Sequence, residues 1–493
     1  MGSEASPPPN QLHGFFFPLM AYGHMIPMFD VARMFAARGV KATIITTPMN
    51  ASTFSKNVER DRLSGLDIDI HILRFPTEEA GLPEGCENVN NIDVPEMIPN
   101  FFKAVNMLQE PLEQLFENYH PDFIVADMFF HWATESASKF GIPRFVFHGT
   151  NIFCQCVEYS LNLYKPYEDI ADAETFVVPG LPDKIEMNMQ QLPDHFKLDT
   201  PFTEMVYKIR DSETKSYGVL VNSFYELEPA YADYYRNVMG RKAWQIGPVS
   251  LRNRNTVDKA QRGKQSAIDE HHVLNWLDSK EQNSVLYICF GSTSRMNTAQ
   301  LLEIAMALED SSYSFVWVIR TNGTDKDEKF LPEGYEERME GKGLIITEWA
   351  PQVLILDHPS VGGFMTHCGW NSTLEGMSAG VPMITWPLFA EQFHNENLVT
   401  QVLKTGIRVG AGKWQQWLET KDVSVQKEKI QKSIQQLMGD SKEATEMRRK
   451  AKELGEMARK AVEDGGSSYT EFTSLIEELK ISKQASSQKK HVI

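Results

Sequence analysis

Two doubly wound α/β domains, Rossmann-like and facing each other across a cleft, are the fold class the sequence predicts. Three observations carry that expectation. A chain of 493 residues is too long for one ordinary hydrophobic core. Its first third alternates short apolar runs with segments of helical period, the rhythm of a parallel sheet covered by helices. After a polar, aperiodic stretch at residues 250–268 the same rhythm resumes.

GFFFPL (14–19) reads as a short buried strand. A helix is expected from Pro27, which suits a first helical turn, with Met28, Val31, Ala32 and Phe35 on one face and Gly39 as its stop. KATIITTP starts the second strand, and LDIDIHILRF alternates as a third. FIVAD (123–127), a helix through ATESASKF and PRFVF (143–147) follow. Beyond the polar stretch come SVLYICFGS, a helix through TAQLLEIAMALED, then FVWVIR, GLIITEW, VGGFMTH and VPMITWP. The expected organisation is therefore a domain over 1–249, a linker over 250–268, a domain over 269–455, closing helices over 456–481 that return to the first domain, and a flexible polar tail over 482–493.

Composition narrows the functions. A net charge of −17 lacks the broad Lys/Arg footprint that nucleic acid or an anionic membrane needs. A phosphate-bearing ligand would have to be met by local donors and helix ends. MGSEASPPPNQ carries neither a basic nor an apolar leader segment, and no run reaches the roughly 18 apolar residues of a membrane span. Five cysteines, with Cys154 and Cys156 as a lone C-x-C, suggest buried thiols in a reducing cytosol rather than disulfides or zinc.

Three motifs fail on inspection. Asp67-Ile68-Asp69 could be a metal-holding D-x-D, but the alternation makes it a solvated strand face. GAGK (410–413) has the wrong spacing from Gly406 and Trp414 in place of Ser/Thr for a phosphate loop. No G-x-G-x-x-G follows the first strand, which removes the main support for a nicotinamide dehydrogenase.

What remains gathers at the carboxyl ends of the strands, where doubly wound sheets bind ligands. His24 follows the first strand, Asp127 ends FIVAD, Ser292 ends YICFGS, Trp349 ends LIITEW and His367 ends GGFMTH. A carboxylate behind an imidazole fixes its tautomer and stabilises its charged form, as in hydrolase triads. With no G-x-S-x-G elbow present, the nucleophile would be an outside hydroxyl. His24 as a core histidine and Asp127 as a helix cap remain the structural alternative. In HCGWNSTLEGMSAG (367–380) a helix is expected from Asn371 or Ser372 to Gly380, its start a ready anion site; Ser372-x-x-Glu375 reads equally as a capping box.

The run WAPQVLILDHPSVGGFMTHCGWNSTLEGMSAGVPMITWPLFAEQ (349–392) resembles the nucleotide-sugar box of plant secondary-product glycosyltransferases, family 1 of the UDP-dependent enzymes. MAYGHMIPMFDVARMFAARG, VADMFFHWATESASKFGIPRFVFHGT, VNSFYELEPAYADYYR and CFGS resemble the same family, most closely its subgroup acting on triterpenoid sapogenins and flavonoids. The resemblance implies a GT-B fold with acceptor in the N-terminal and donor in the C-terminal domain. It implies that Trp349 stacks on uracil, that Ala350 and Gln352 hold base and ribose, and that Glu375 accepts from the ribose hydroxyls. Ser292, His367, Asn371 and Ser372 would bind the pyrophosphate, and Trp370, Glu391 and Gln392 the sugar, with Thr150 at a looser position nearby. His24 would be the general base and Asp127 its partner. The implied reaction is inverting transfer of glucose from UDP-glucose, without cofactor or metal, to a hydrophobic plant metabolite, with triterpenoid ahead of flavonoid. A soluble cytoplasmic monomer is expected. A non-catalytic nucleotide-sugar-binding protein is the alternative from another class. Phe15, Phe16, Phe17, Met25 and Ile26 are expected to divide between the core and an apolar acceptor wall, while Tyr22 and His131 depart from the family pattern beside the acceptor and away from the donor.

Overall fold

The computed structural model describes residues 11–168, 170–171, 174–320, 331–416 and 424–490. The first ten residues of the opening segment read above for a leader, and the last three residues of the expected tail, lie outside the described residues.

The first sheet uses β1 (His13–Phe17), β2 (Lys41–Thr46), β3 (Ile68–Ile72), β4 (Phe123–Asp127) and β5 (Arg144–Phe147). A small antiparallel hairpin, β6 (Thr175–Val177) and β7 (Glu186–Asn188), intervenes, and β8 (Gly218–Val221) and β9 (Ala243–Gln245) complete it. The order is β3-β2-β1-β4-β5-β8-β9, with every neighbouring pair parallel. The second sheet holds β10 (Val285–Cys289), β11 (Ser314–Ile319), β12 (Gly343–Thr347), β13 (Val361–Thr366), β14 (Met383–Thr385) and β15 (Gly406–Arg408). Its order is β12-β11-β10-β13-β14-β15, again all parallel.

Burial on both faces explains the unbroken apolar text of β1. Phe16 packs with the first helix, while Phe15 and Phe17 enter the cluster on the opposite face. On the edge strand β3 the alternation weakens outward: Ile68 is buried and Ile72 exposed. The last helix, Ser467–Lys490, inserts Phe472, Leu475, Ile476 and Leu479 into the Phe16 cluster, so the chain ends on the sheet where it began.

Three expectations need correction. The first helix spans Tyr22–Ala36 and starts five residues before Pro27, which sits inside it. The stretch 250–268 is not loose: it holds a short helix, Thr256–Ala260, and its polar groups bond to the first domain, as where Asp258 meets Arg60 at 2.5 Å and Asn253 meets Arg33 at 2.9 Å. The polar text serves both: Asn253 is buried in pairing with the first domain, while residues 254–257 are exposed. The last helix continues to Lys490, past the tail boundary expected at Ser482, because nothing from 482 to 490 breaks a helix and Lys483 is anchored to Asp122 at 2.8 Å.

Candidate active site

Each sheet reverses its winding at one place, and the crevice there is where such folds bind ligands. In the first sheet the reversal lies between β1 and β4, and in the second between β10 and β13. Phe17 stands opposite Ala126, and Cys289 opposite Thr366, so Asp127, the last residue of β4, and His367, the residue after β13, each lie one step past the end of the pairing at the reversal.

His24 occupies the first turn of the first helix, and Asp127, fully buried, is the last residue of β4. His24 Nδ1 lies 2.7 Å from Asp127 Oδ2. A carboxylate there makes Nδ1 the donor and leaves the Nε2 lone pair free to take a proton. The second Asp127 oxygen accepts the Phe129 N–H at 3.2 Å, which fixes the carboxylate plane. Burial works against protonation of the imidazole, but the charge and hydrogen bond of Asp127, with the charge of Glu391, outweigh it and raise the His24 pKa above its usual 6.5. The ring remains 22% exposed.

Gly149, in the left-handed region at φ 72°, lets the loop before Thr150 lie against the His24 ring. Phe129 meets the ring edge-on at 5.9 Å, and Phe102 packs on Phe129 at 5.3 Å. These half-buried aromatics supply the apolar surface beside His24. The expected wall from Met25 and Ile26 does not form, because the earlier helix start turns both into the core.

The second switch point opposes the first. The helix after β13 runs Trp370–Ala379 with Gly369 at its N-cap, and no side-chain cap among the described residues. The Ser372/Glu375 capping box is therefore absent: Ser372 lies inside the helix, and both residues instead receive Gln352 Nε2, at 3.0 and 2.7 Å. An uncapped start leaves backbone N–H groups and the positive dipole end facing the crevice. His367 sits beside that start between two glycines. A Cβ on Gly291 would stand 2.5 Å from its ring, and Gly291 also holds φ 78°. Burial lowers the His367 pKa to about 4, so it is a neutral donor or acceptor at pH 7 and not a cation.

Other candidates are less simply placed. Trp370 is buried, and its indole N–H donates to the Asn222 carbonyl at 2.8 Å, so it fills the seam between the halves. Ala350 is buried in the turn after Trp349, its carbonyl accepting from Gln352 N. Gln392 Oε1 accepts the Leu388 and Phe389 N–H groups at 2.8 and 3.0 Å, which holds the loop carrying Glu391. Asn90 of the first half bonds the Ser292 carbonyl. Asn371 donates to the Gly23 carbonyl, one residue before His24.

Sequence reasoning missed the interdomain stretch. Arg262 Nε donates to Asp30 at 2.7 Å and its Nη1 to Glu375, with exposures of 9%, 1% and 6% for the three side chains. Burial disfavours its charge, but Glu375 and Asp30 outweigh that and raise its pKa, so Arg262 stays cationic. Gly263 lies on the Trp349 ring, Ala267 N donates to the Trp349 carbonyl at 2.8 Å, and Lys264 covers Tyr22. Tyr22 meets Trp349 at 5.7 Å and so packs on the C-terminal domain, contrary to the expectation that it stands away from the residues expected to hold the donor. An Arg-Gly pair inside an otherwise polar stretch was the only signal.

Residues 241–463 match the family model described as UDP-glucoronosyl and UDP-glucosyl transferase. The scopoletin glucosyltransferase of Nicotiana tabacum is 55% identical over 472 residues, covering 95% of this chain and 98% of that protein. UDP-glucosyl transferase 73M2 of Saponaria officinalis is 49% identical, covering 96% and 98%. Among solved structures, Glycyrrhiza uralensis UGT73P12 complexed with glycyrrhetinic acid 3-O-monoglucuronide is similar at a TM-score of 0.91 and 42% identity over 98% of each chain. Medicago truncatula UGT71G1 complexed with UDP-glucose is similar at a TM-score of 0.78 and 25% identity, covering 96% of this chain and 99% of that one.

Proposed function

The chain belongs to the plant family 1 UDP-glycosyltransferases and has their GT-B fold, and from that premise we propose that it moves glucose from UDP-glucose to a hydroxyl of a hydrophobic polycyclic metabolite, with inversion. The observation that carries this reading is the opposition of the two switch points: a carboxylate-backed imidazole on one side and an uncapped helix start on the other.

In this mechanism His24 Nε2 takes the acceptor hydroxyl proton as the oxygen attacks the anomeric carbon. Asp127 stabilises the imidazolium that forms. The bond from that carbon to the diphosphate oxygen breaks on the opposite face, giving a β-glycoside and UDP. Charge growing on the departing diphosphate falls to the N–H groups at the Trp370 helix start, with Asn371, Ser372, Ser292 and neutral His367. No metal takes part in the proposed step. Trp349 stacks on uracil, Glu375 and Gln352 take the ribose, and Glu391 and Gln392 take the sugar, with Thr150 at its edge. The buried Trp370 shapes that subsite by holding the seam.

Two acceptor classes have support. A triterpenoid sapogenin is favoured by the likeness to the enzyme complexed with a glycyrrhetinic acid glucuronide. A phenolic is favoured by the scopoletin relative. Among the described residues no helix is long and apolar enough to cross a membrane, and all five cysteines are free, which fits the proposed cytosolic setting. The test is mass spectrometry of products from UDP-glucose and a mixed panel of triterpenoid and phenolic acceptors, wild type beside His24→Ala. A hexose adduct that the variant fails to make supports the reading and names the class. UDP binding without product from any acceptor sinks it in favour of a nucleotide-sugar-binding protein.

A further inference from the structure

The interdomain strap touches three things that the proposed donor site needs, and none of these contacts belongs to the roles assigned above. Arg262 bonds Glu375; Gly263 lies against Trp349, where a Cβ would come within 2.6 Å of the indole; Ala267 and Ser266 hold the Trp349 carbonyl. Arg262 also reaches Asp30, two turns along the helix that carries His24.

Counting lone pairs shows what this leaves for a ligand. A carboxylate offers about four acceptor positions on two oxygens. On Glu375, Arg262 takes one position on Oε1 and Gln352 takes one on Oε2. One position per oxygen remains, which suits the adjacent hydroxyls of a ribose 2′,3′-diol. Both existing donors hold the carboxylate plane, so the free positions have a fixed direction. A single donor would leave it free to turn.

We propose that Arg262 is a positioning residue for the ribose of a nucleoside diphosphate sugar, orienting Glu375 toward the 2′- and 3′-hydroxyls and tying that subsite through Asp30 to the helix bearing the base. The inference rests on the ribose role proposed for Glu375. It makes the strap a wall of the donor site rather than a tether between domains. Gly263 serves the same end, since its φ of 94° and its closeness to Trp349 both exclude a side chain.

The test is calorimetric titration of the full-length chain with UDP and with 2′-deoxy-UDP. Wild type is expected to prefer UDP, because the deoxy compound leaves one Glu375 position unfilled. Arg262→Gln is expected to lose about tenfold in UDP affinity and much less for 2′-deoxy-UDP, so that the preference contracts. Arg262→Lys keeps the charge without the fork and should fall between. Asp30→Asn, which touches no nucleotide, should also contract the preference, and it carries the test should Arg262→Gln fail to fold. An unchanged preference in these variants overturns the proposal, as does an equal loss for both nucleotides, the mark of a purely structural residue. A wild type that does not discriminate between the two overturns the ribose role of Glu375 itself and the inference with it.

Discussion

Replacing Asp127 by Asn changes little shape and removes the charge behind His24. The carboxylate is fully buried and 2.7 Å from Nδ1, so the pair is a desolvated, charge-assisted hydrogen bond, worth about 1.5–3 kcal/mol. At about 1.4 kcal/mol per decade that is roughly 10–100-fold in rate. Geometry adds to it. The second oxygen accepts from Phe129 N, and an asparagine can satisfy only one of the two donors. If its oxygen stays on Phe129, its NH₂ faces Nδ1 and forces the proton onto Nε2, the tautomer that cannot act as base. The loss should therefore approach that of His24→Ala, on the order of 10²–10⁴-fold for a general base, and the double variant should be no worse than the single ones together suggest. The assay is kcat/KM against pH. The base works unprotonated, and its pKa is raised, so the wild-type profile should fall on the acid side from a point above 6.5. Without the Asp127 charge, burial is opposed only by Glu391, so the residual activity of Asp127→Asn should persist to lower pH than wild type does. The same acid break in both proteins, or a wild-type plateau reaching well below 6.5, would refute the pairing as the source of the base.

Gly291→Ala should weaken UDP binding and lower stability by about 1–3 kcal/mol in a urea titration, because the new methyl meets the His367 ring at a φ of 78°; full stability with wild-type UDP affinity would show that the crevice relaxes freely. The share of stability that rests on keeping His13 and His367 neutral should fall as pH drops from 6.5 toward 4. Both have folded pKa values of about 4 by burial, with Lys41 and Lys483 also acting on His13, so at these two positions the unfolded chain binds more protons across that window. Thermal melts at stepped pH check this, with His13→Gln expected to flatten the slope. Exhaustive EDTA treatment should leave turnover of UDP-glucose within about twofold, because the helix start meets the diphosphate charge; a large loss restored by Mg²⁺ would overturn that assignment.

The strands were the most legible part of the sequence. FIVAD coincides with β4 to the residue, because a strand buried on both faces writes a continuous apolar run bounded by polar text. The start of the first helix is not legible in the sequence, for a physical reason. Its N-cap is Ala21 with no side-chain cap, and Tyr22-Gly23-His24 lacks every usual start signal, so Pro27 stood out as the first recognisable one. At the site, the strand-end rule brought His24, Asp127, Ser292, Trp349 and His367 forward, because topology converts distant positions into one rim. It could not reach Arg262. That residue ends no strand, and its partners Asp30 and Glu375 lie far away in sequence, so a buried ion triad was written in the same letters as a solvated loop. Nor could it place the Trp370 indole, since only packing shows its N–H turned to the Asn222 carbonyl.

Pro27 shows how the two halves are brought into register. In an uninterrupted helix the Gly23 carbonyl would accept from the N–H of residue 27, and proline has none. That carbonyl is left open one residue before His24, and the Asn371 side chain, at the start of the opposing helix, bonds to it. The residue that interrupts the first helix thereby supplies the acceptor that joins it to the second. In the proposed reaction the base and the leaving-group site must stand on opposite sides of one carbon, so their separation matters more than the stability of either helix. Gly23–Asn371 ties the helix of the base to the residue proposed for the diphosphate, and Asp30–Arg262–Glu375 ties it to the residue proposed for the ribose. Both links leave the one helix that carries His24, so the spacing between base and leaving-group site is held at two points along it.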